Sequence, residues 1–233
     1  MPVGPGSGSG GRVYVTNQQD NTLSVIDART YKVVATVKAG KAPEGVAVAP
    51  DGRHVYIANN GSAQVSVLDT RTNKITTTVP VEKSPTGVGL SPDGRSLYVA
   101  NGGSNTVSVI DTGTNRVAAR IPVGKSPVSV TFSRDGSTAY VANSGSGSLS
   151  VINTRTRQVT GNLAAGHSPV GVAVTPDGKS ATSPTRWQHV SWPSEPAPVR
   201  RLPCRSAKGP STCRSDQTAS RSTPPFSALA RYP

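Results

Sequence analysis

Apolar and polar residues alternate in short runs along most of the chain, and residues 43–84 show the pattern most clearly. Val46 and Val48 alternate with small residues, Val55 and Ile57 flank Tyr56, and Val65 and Val67 flank Ser66. Ile75 and Val79 mark a fourth run, between which Thr76, Thr77 and Thr78 supply β-branched polar surface. A period of two sends successive side chains to opposite faces, the mark of a half-buried strand. Turn-forming residues separate the runs: Pro50-Asp51-Gly52, then Asn59-Asn60-Gly61, then Asp69-Thr70. The segment therefore predicts four antiparallel strands of about five residues each.

The same pattern returns every 42 residues. Tyr14-Val15-Thr16-Asn17 recurs as Tyr56-Ile57-Ala58-Asn59, Tyr98-Val99-Ala100-Asn101 and Tyr140-Val141-Ala142-Asn143. Pro50-Asp51-Gly52 recurs in step as Pro92-Asp93-Gly94, Arg134-Asp135-Gly136 and Pro176-Asp177-Gly178. A period of about 40 residues with four short strands per unit predicts an all-β fold, a β-propeller of four-stranded antiparallel blades. The first strand of each unit is rich in small residues, as in Gly45-Val46-Ala47, Gly87-Val88-Gly89 and Gly171-Val172-Ala173. Small residues let these inner strands crowd around a central channel. The chain enters at a second strand, Arg12–Asn17, and its inner strands are expected near Glu44, Thr86, Val128 and Val170. The expectation is an incomplete arc of about four repeats. The alternative is a closed four-bladed ring in which the last inner strand completes the first blade.

These paired motifs resemble the YVTN family of β-propeller repeats, relatives of WD-repeat and lactonase-type propellers, over residues 12–180. The resemblance implies blades, in family members usually seven to a ring, that serve as binding platforms, surface-layer components, enzymes or haem-binding domains. It also leans towards an exported or cell-surface protein.

Residues 1–11 are rich in Gly and Ser and are expected to be disordered, as is the tail from 181 to 233. A fifth Tyr-Val-Ala-Asn is due at 182–185, where the chain reads Thr182-Ser183-Pro184-Thr185. Codons GCN-ACN-TCN-CCN-ACN for Ala181 to Thr185, read from each third base, become NAC-NTC-NCC-NAC, which can encode Tyr-Val-Ala-Asn in register. The tail is thus expected to be out-of-frame translation; the alternative is a natural basic tail. Its composition fits: apolar periodicity ends, and Trp187, Trp192, Cys204 and Cys213 appear for the first time.

Charge changes the picture in one respect. The net charge is +13, with 17 Lys and Arg against 10 Asp and Glu up to residue 180, and 8 against 2 beyond it. A basic surface favours an anionic partner. No apolar run approaches the roughly 20 residues that span a bilayer, so no membrane insertion is expected. The start, Met1-Pro2-Val3-Gly4-Pro5, has neither the basic segment nor the apolar stretch of a signal peptide.

The repeats predict no catalytic residues, metal site or cofactor. They hold no Cys, only His54 and His167, and no metal-ligand spacing, nucleophile elbow or phosphate loop. Asp27, Asp69 and Asp111, with Asn153, end third strands and are expected to cap turns; Asp51, Asp93, Asp135 and Asp177 precede glycine in tight turns. Asn17, Asn59, Asn101 and Asn143 end second strands and are expected in turns, where Asn tolerates left-handed backbone, on a face that could present ligand contacts.

Lys41, Lys83, Lys125 and His167 stand one step before Ala-Pro or Ser-Pro at the entry to each inner strand. They predict a crown of cations at the channel mouth, with His167 as the pH-sensitive member. Such a crown suits an acidic polymer or acidic protein surface. Nucleic acid fits less well, because these loops carry no aromatic stacking partners. A plain solvated loop lysine is the competing reading. Two further alternatives follow from the resemblance alone: a lactonase-like hydrolase, and a haem-binding propeller with His54 and His167 as the available ligands. An open arc also predicts self-association through uncovered blade edges.

Overall fold

The computed structural model describes residues 11–175, together with the backbone of two short strands at 181–184 and 189–190. The chain divides into units of residues 1–194 and 195–233, and the second lies wholly outside the described residues.

The first sheet is three-stranded: β1 (Arg12–Asn17), β2 (Thr22–Asp27) and β3 (Lys32–Lys38). Three four-stranded sheets follow, each in chain order. They are β4 (Pro43–Val48), β5 (His54–Asn59), β6 (Gln64–Asp69) and β7 (Lys74–Pro80); β8 (Pro85–Leu90), β9 (Ser96–Asn101), β10 (Thr106–Asp111) and β11 (Arg116–Pro122); and β12 (Pro127–Phe132), β13 (Thr138–Asn143), β14 (Ser148–Asn153) and β15 (Gln158–Ala164). A fifth sheet joins β16 (Ala173–Val174), β17 (Ala181–Pro184) and β18 (His189–Val190). Each sheet is an antiparallel meander, because connections this short permit no crossover. A bulge recurs at the same repeat position between third and fourth strands, at Val25/Ile26, Val67/Leu68, Val109/Ile110 and Val151/Ile152. It adds local twist to each outer strand.

The sheets stack in sequence through their inner strands: β4 lies beside β8, β8 beside β12, and β12 beside β16. The core is therefore divided into seams between neighbours. Tyr14 and Leu23 meet Val55, Ile57 and Leu68 in one seam. Tyr56, Val65 and Val67 meet Leu97, Val99 and Ile110 in the next, and Tyr98, Val107 and Val109 meet Val130, Val141 and Ile152 in the third. Each sheet depends mainly on its neighbours for burial, the energetics of a repeat array. Glycine sets the spacing at the channel. A Cβ on Gly45 would overlap the Thr86 carbonyl, and one on Gly87 the Val128 carbonyl.

The closed four-bladed ring is not formed. It would need the last inner strand to complete the first sheet, but β16 pairs with β17, Ala173 opposite Thr182 and Val174 opposite Ala181. The second-strand register of the repeat is already filled, since Ala47 opposite Tyr56 is the same pair three units earlier. That last inner strand is also shorter than expected, beginning at Ala173 rather than near Val170. At the other end, Val13 and Val15 of the first sheet are 48% and 42% exposed, whereas Val55 and Ile57, one repeat on, are fully buried. The difference is the covering sheet.

Candidate functional site

Both rims of the arc carry polar groups, and the lysine rim is the one that the repeat itself builds. Each outer strand leads to the next inner strand through Gly40-Lys41-Ala42, Glu82-Lys83-Ser84, Gly124-Lys125-Ser126 or Gly166-His167-Ser168. The residue after each cation has left-handed backbone: φ is 47° at Ala42, 51° at Ser84, 49° at Ser126 and 51° at Ser168. Side chains from the adjacent loop fix this shape. The Lys41, Lys83 and Lys125 N–H groups donate to Ser62, Ser104 and Ser146 Oγ at 3.2, 3.0 and 3.1 Å. Their carbonyls accept from the Gly61, Gly103 and Gly145 N–H groups. The Ala42 and Ser126 N–H groups donate to Asn21 and Asn105 Oδ1 at 2.7 and 2.9 Å. Main chain is thus pinned while the side chains of Lys41, Lys83, Lys125 and His167 stay exposed. Among the described residues the one ion pair is Arg120 Nε with Glu82 Oε1 at 3.2 Å, so no described carboxylate pairs with these lysines.

Asn17, Asn59, Asn101 and Asn143 are not left-handed turn residues; they end their strands beside the lysine loops. They close their strands in extended backbone, with φ of −104° at Asn59, and Asn59, Asn101 and Asn143 are fully buried. Their amides tie second strand to third. Nδ2 donates to Ser24 from Asn17, to Ser66 from Asn59, to Ser108 from Asn101 and to Ser150 from Asn143, each at 2.9 Å. Asn59 Oδ1 accepts the Gly40 N–H at 3.0 Å. The left-handed positions lie four residues later, at Asn21, Ala63, Asn105 and Gly147. Water cannot reach a buried amide, so these bonds offset the cost of burying the Nδ2 groups, while Asn101 and Asn143 Oδ1 are buried without a partner among the described residues.

The aspartates hold turns. Asp27 Oδ1 accepts the Thr30 N–H at 2.8 Å, Asp69 Oδ1 the Thr72 N–H at 2.7 Å and Asp111 Oδ1 the Thr114 N–H at 2.8 Å; Asn153 receives Thr156 at 3.0 Å. Asp51 accepts the Arg53 N–H at 2.9 Å. Asp93 takes the Ser91 hydroxyl at 2.6 Å, and Asp135 the Ser133 hydroxyl at 2.6 Å. These donors hold Asp27, Asp69, Asp93, Asp111 and Asp135 below the ordinary carboxylate range. Asp177 lies outside the described residues. Each described copy is engaged in its own turn.

The opposite rim, where the Pro-Asp-Gly turns lie, carries a cleft at successive seams. Between the second and third sheets it measures about 230 Å³ and includes Asp51, His54, Tyr56, Asp93 and Gly113. Between the third and fourth it measures about 500 Å³ and includes Asp93, Tyr98, Phe132, Asp135, Arg155 and Arg157. The Tyr98 and Phe132 rings meet edge to face, 4.9 Å between centroids and 83° between planes. Burial raises the Tyr98 phenol, and Arg157 draws it partly back. His54 opens this rim while His167 stands on the lysine rim, so the two histidines offered for haem lie at opposite ends of the strands. Sequence reasoning missed Arg155 and Arg157. Arg157 departs from Asn73 and Asn115 at its repeat position, whereas Arg155 repeats Arg29 and Arg71 and only Gly113 departs there.

Stacked four-stranded meanders with inner strands side by side define a β-propeller protein. Residues 6–184 match the family described as Domain of unknown function (DUF5074), and the chain belongs to that family. A chain of hydrazine synthase from Kuenenia stuttgartiensis superimposes with a TM-score of 0.70 at 33% identity, over 76% of this chain and 54% of that one. A functionally unknown protein from Desulfotomaculum acetoxidans DSM 771 shares the fold, with a TM-score of 0.65 at 22% identity over 75% of this chain and 59% of that one. The PE-PGRS family protein PE_PGRS18 of Mycobacterium tuberculosis (strain ATCC 25618 / H37Rv) is 49% identical over 49 residues, which are 21% of this chain. The chain spans 11% of that relative and little more than half of the two structures.

Proposed function

We propose that the protein is a non-catalytic binding module built from YVTN-type repeats, and that its lysine rim engages an anionic polymer. The observation that carries this reading is the placement of Lys41, Lys83 and Lys125. Each is exposed, without a carboxylate partner among the described residues, and mounted on a loop whose backbone is fixed by the neighbouring sheet. A fixed backbone lowers the ordering cost of binding, and repetition along the arc suits a ligand that repeats its own charge.

Heparin retention tests the reading. Changing Lys41, Lys83 and Lys125 together to Ala is expected to shift elution to clearly lower salt and flatten the salt dependence by about one unit of slope per contact removed. Retention unchanged by the triple substitution would overturn it. An acidic protein surface is the alternative partner on the same chemistry, recognised by binding to polyglutamate without retention on heparin.

The tail is proposed to be out-of-frame. In support, β17 occupies second-strand register although Thr182-Ser183-Pro184 replaces the apolar motif. The nucleotide sequence decides: further Tyr-Val-Ala-Asn repeats are expected in the shifted frame, and their absence would leave a natural basic tail.

A further inference from the structure

Where the third and fourth sheets meet on the Pro-Asp-Gly rim, the repeat changes several side chains of one cleft together. Relative to the cleft one unit earlier, Ser91 stands for Ala49, Ser96 for His54, Arg155 for Gly113 and Arg157 for Asn115. The volume rises from about 230 to about 500 Å³. Arg157 is the least expected of these changes. Its φ is 57°, in the left-handed region, where Asn73 and Asn115 have 54° and 53°. Asn tolerates that backbone far better than Arg, so the guanidinium is held here at a conformational cost.

The hydrogen-bonding inventory of the cleft is lopsided. The Arg155 side chain forms no hydrogen bond or ion pair among the described residues, and the Arg157 guanidinium makes one long bond, Nη1 to the Ala118 carbonyl at 3.4 Å. The Tyr98 hydroxyl has no hydrogen-bond partner among the described residues, and Tyr98 lines the cleft although it is only 2% exposed. The acceptors, by contrast, are mostly engaged. Asp93 Oδ1 receives the Ser91 hydroxyl and the Arg95 N–H. Asp135 Oδ1 receives Ser133 and the Ser137 N–H, and its Oδ2 the Ser137 hydroxyl at 2.8 Å. The cleft thus offers two guanidiniums and a phenol to an incoming acceptor.

We propose that this cleft binds a small organic monocarboxylate, its oxygens on Arg155 and Arg157 and its apolar body toward Tyr98 and Phe132. A guanidinium matches a carboxylate in planar, bidentate geometry. Charge selects the monoanion. Asp93 and Asp135 line the cleft, and Asp111 stands close enough to feel Arg157, so a doubly charged phosphate monoester meets more repulsion than a carboxylate. The site is separate from the lysine rim and does not depend on it.

The experiment is a titration of the full chain with benzoate, phenyl phosphate and neutral methyl benzoate, followed by amide chemical shifts. Benzoate is expected to bind saturably, more tightly than phenyl phosphate, with methyl benzoate weaker than either. Arg155→Gly with Arg157→Asn installs the residues of the previous repeat, which that backbone already accommodates at Gly113 and Asn115. The pair should weaken benzoate about tenfold or more, the loss of charge-assisted bonds. Tyr98→Phe, which keeps the ring packing, should weaken it several-fold, and the Lys41, Lys83 and Lys125 alanine triple should leave it unchanged. Any one of three results overturns the proposal: no saturable benzoate shift, benzoate binding that survives the arginine pair, or phenyl phosphate bound more tightly than benzoate.

Discussion

On the lysine rim the same residue stands at the same place three times, Lys41, Lys83 and Lys125, each over an equivalent loop. On the Pro-Asp-Gly rim two equivalent clefts have diverged, with Arg155 where the neighbour has Gly113 and Arg157 where it has Asn115. One rim repeats an exposed cation; the other carries a larger cleft at one seam than at the one before it. On the proposals above, the two rims are two routes by which a repeat fold acquires chemistry. Repetition alone does not separate structure from function, since the buried asparagines repeat as faithfully as the lysines. Engagement is the difference between the two series: Asn59, Asn101 and Asn143 are buried with Nδ2 bonded to a serine, whereas the lysine side chains have no ion-pair partner among the described residues.

The largest expected effect falls on both rims at once. Gly87→Ala places a Cβ against the Val128 carbonyl of the adjacent inner strand, where backbone must move rather than a flexible side chain. A loss of about 1–3 kcal/mol in urea unfolding is expected. Stability equal to the parent would mean that inner-strand spacing is not set there. Next comes Asn101→Ala, which removes the amide that bonds Thr106 and Ser108. It should cost about 1–3 kcal/mol, and a variant that kept its stability but lost ligand binding would restore this series as contact residues.

The lysine triple should change binding far more than folding, with stability within about 0.5 kcal/mol of the parent. A large loss of stability would show that the lysines belong to the scaffold, and the contrast between the rims would fail.

The smallest effect concerns acid. Donors in the turns lower the carboxyl groups of Asp27, Asp69 and Asp111 from the ordinary 3.8. The folded state therefore favours the ionised form, and its contribution is complete above the unfolded value and lost as pH falls through the folded one. Stability should be level from neutral pH to about 4 and decline only below that, with modest amplitude because these groups are exposed. A decline beginning well above pH 4 would contradict this assignment to the turn aspartates.

Much of the architecture was legible in the sequence. The 42-residue step of Tyr-Val-Ala-Asn and Pro-Asp-Gly fixes strand order within each sheet, since both motifs sit at strand boundaries. The turn aspartates could be read for the same reason, because a carboxylate two or three residues before its donors acts locally. The asparagines could not. Asn at a strand end suits either a left-handed turn or a buried cross-strand tie, and only the partners decide. Ser66, Ser108 and Ser150, polar at positions flanked by Val or Leu, were the available sign of a buried polar tie. The clefts lay further out of reach. Their walls come from different sheets, some 40 residues apart, and their size depends on how neighbouring sheets stack. Ring closure was equally hidden, because whether β16 pairs with β1 or β17 is a choice of partner that an identical repeat pattern leaves open.

The most direct test compares elution from heparin for the parent, the Lys41, Lys83 and Lys125 alanine triple, and the Arg155→Gly with Arg157→Asn pair. Early elution of the lysine triple alone, with the arginine pair close to the parent, is the predicted result. Retention that survives the lysine triple, or that follows the arginine pair instead, would contradict the lysine rim as the binding surface.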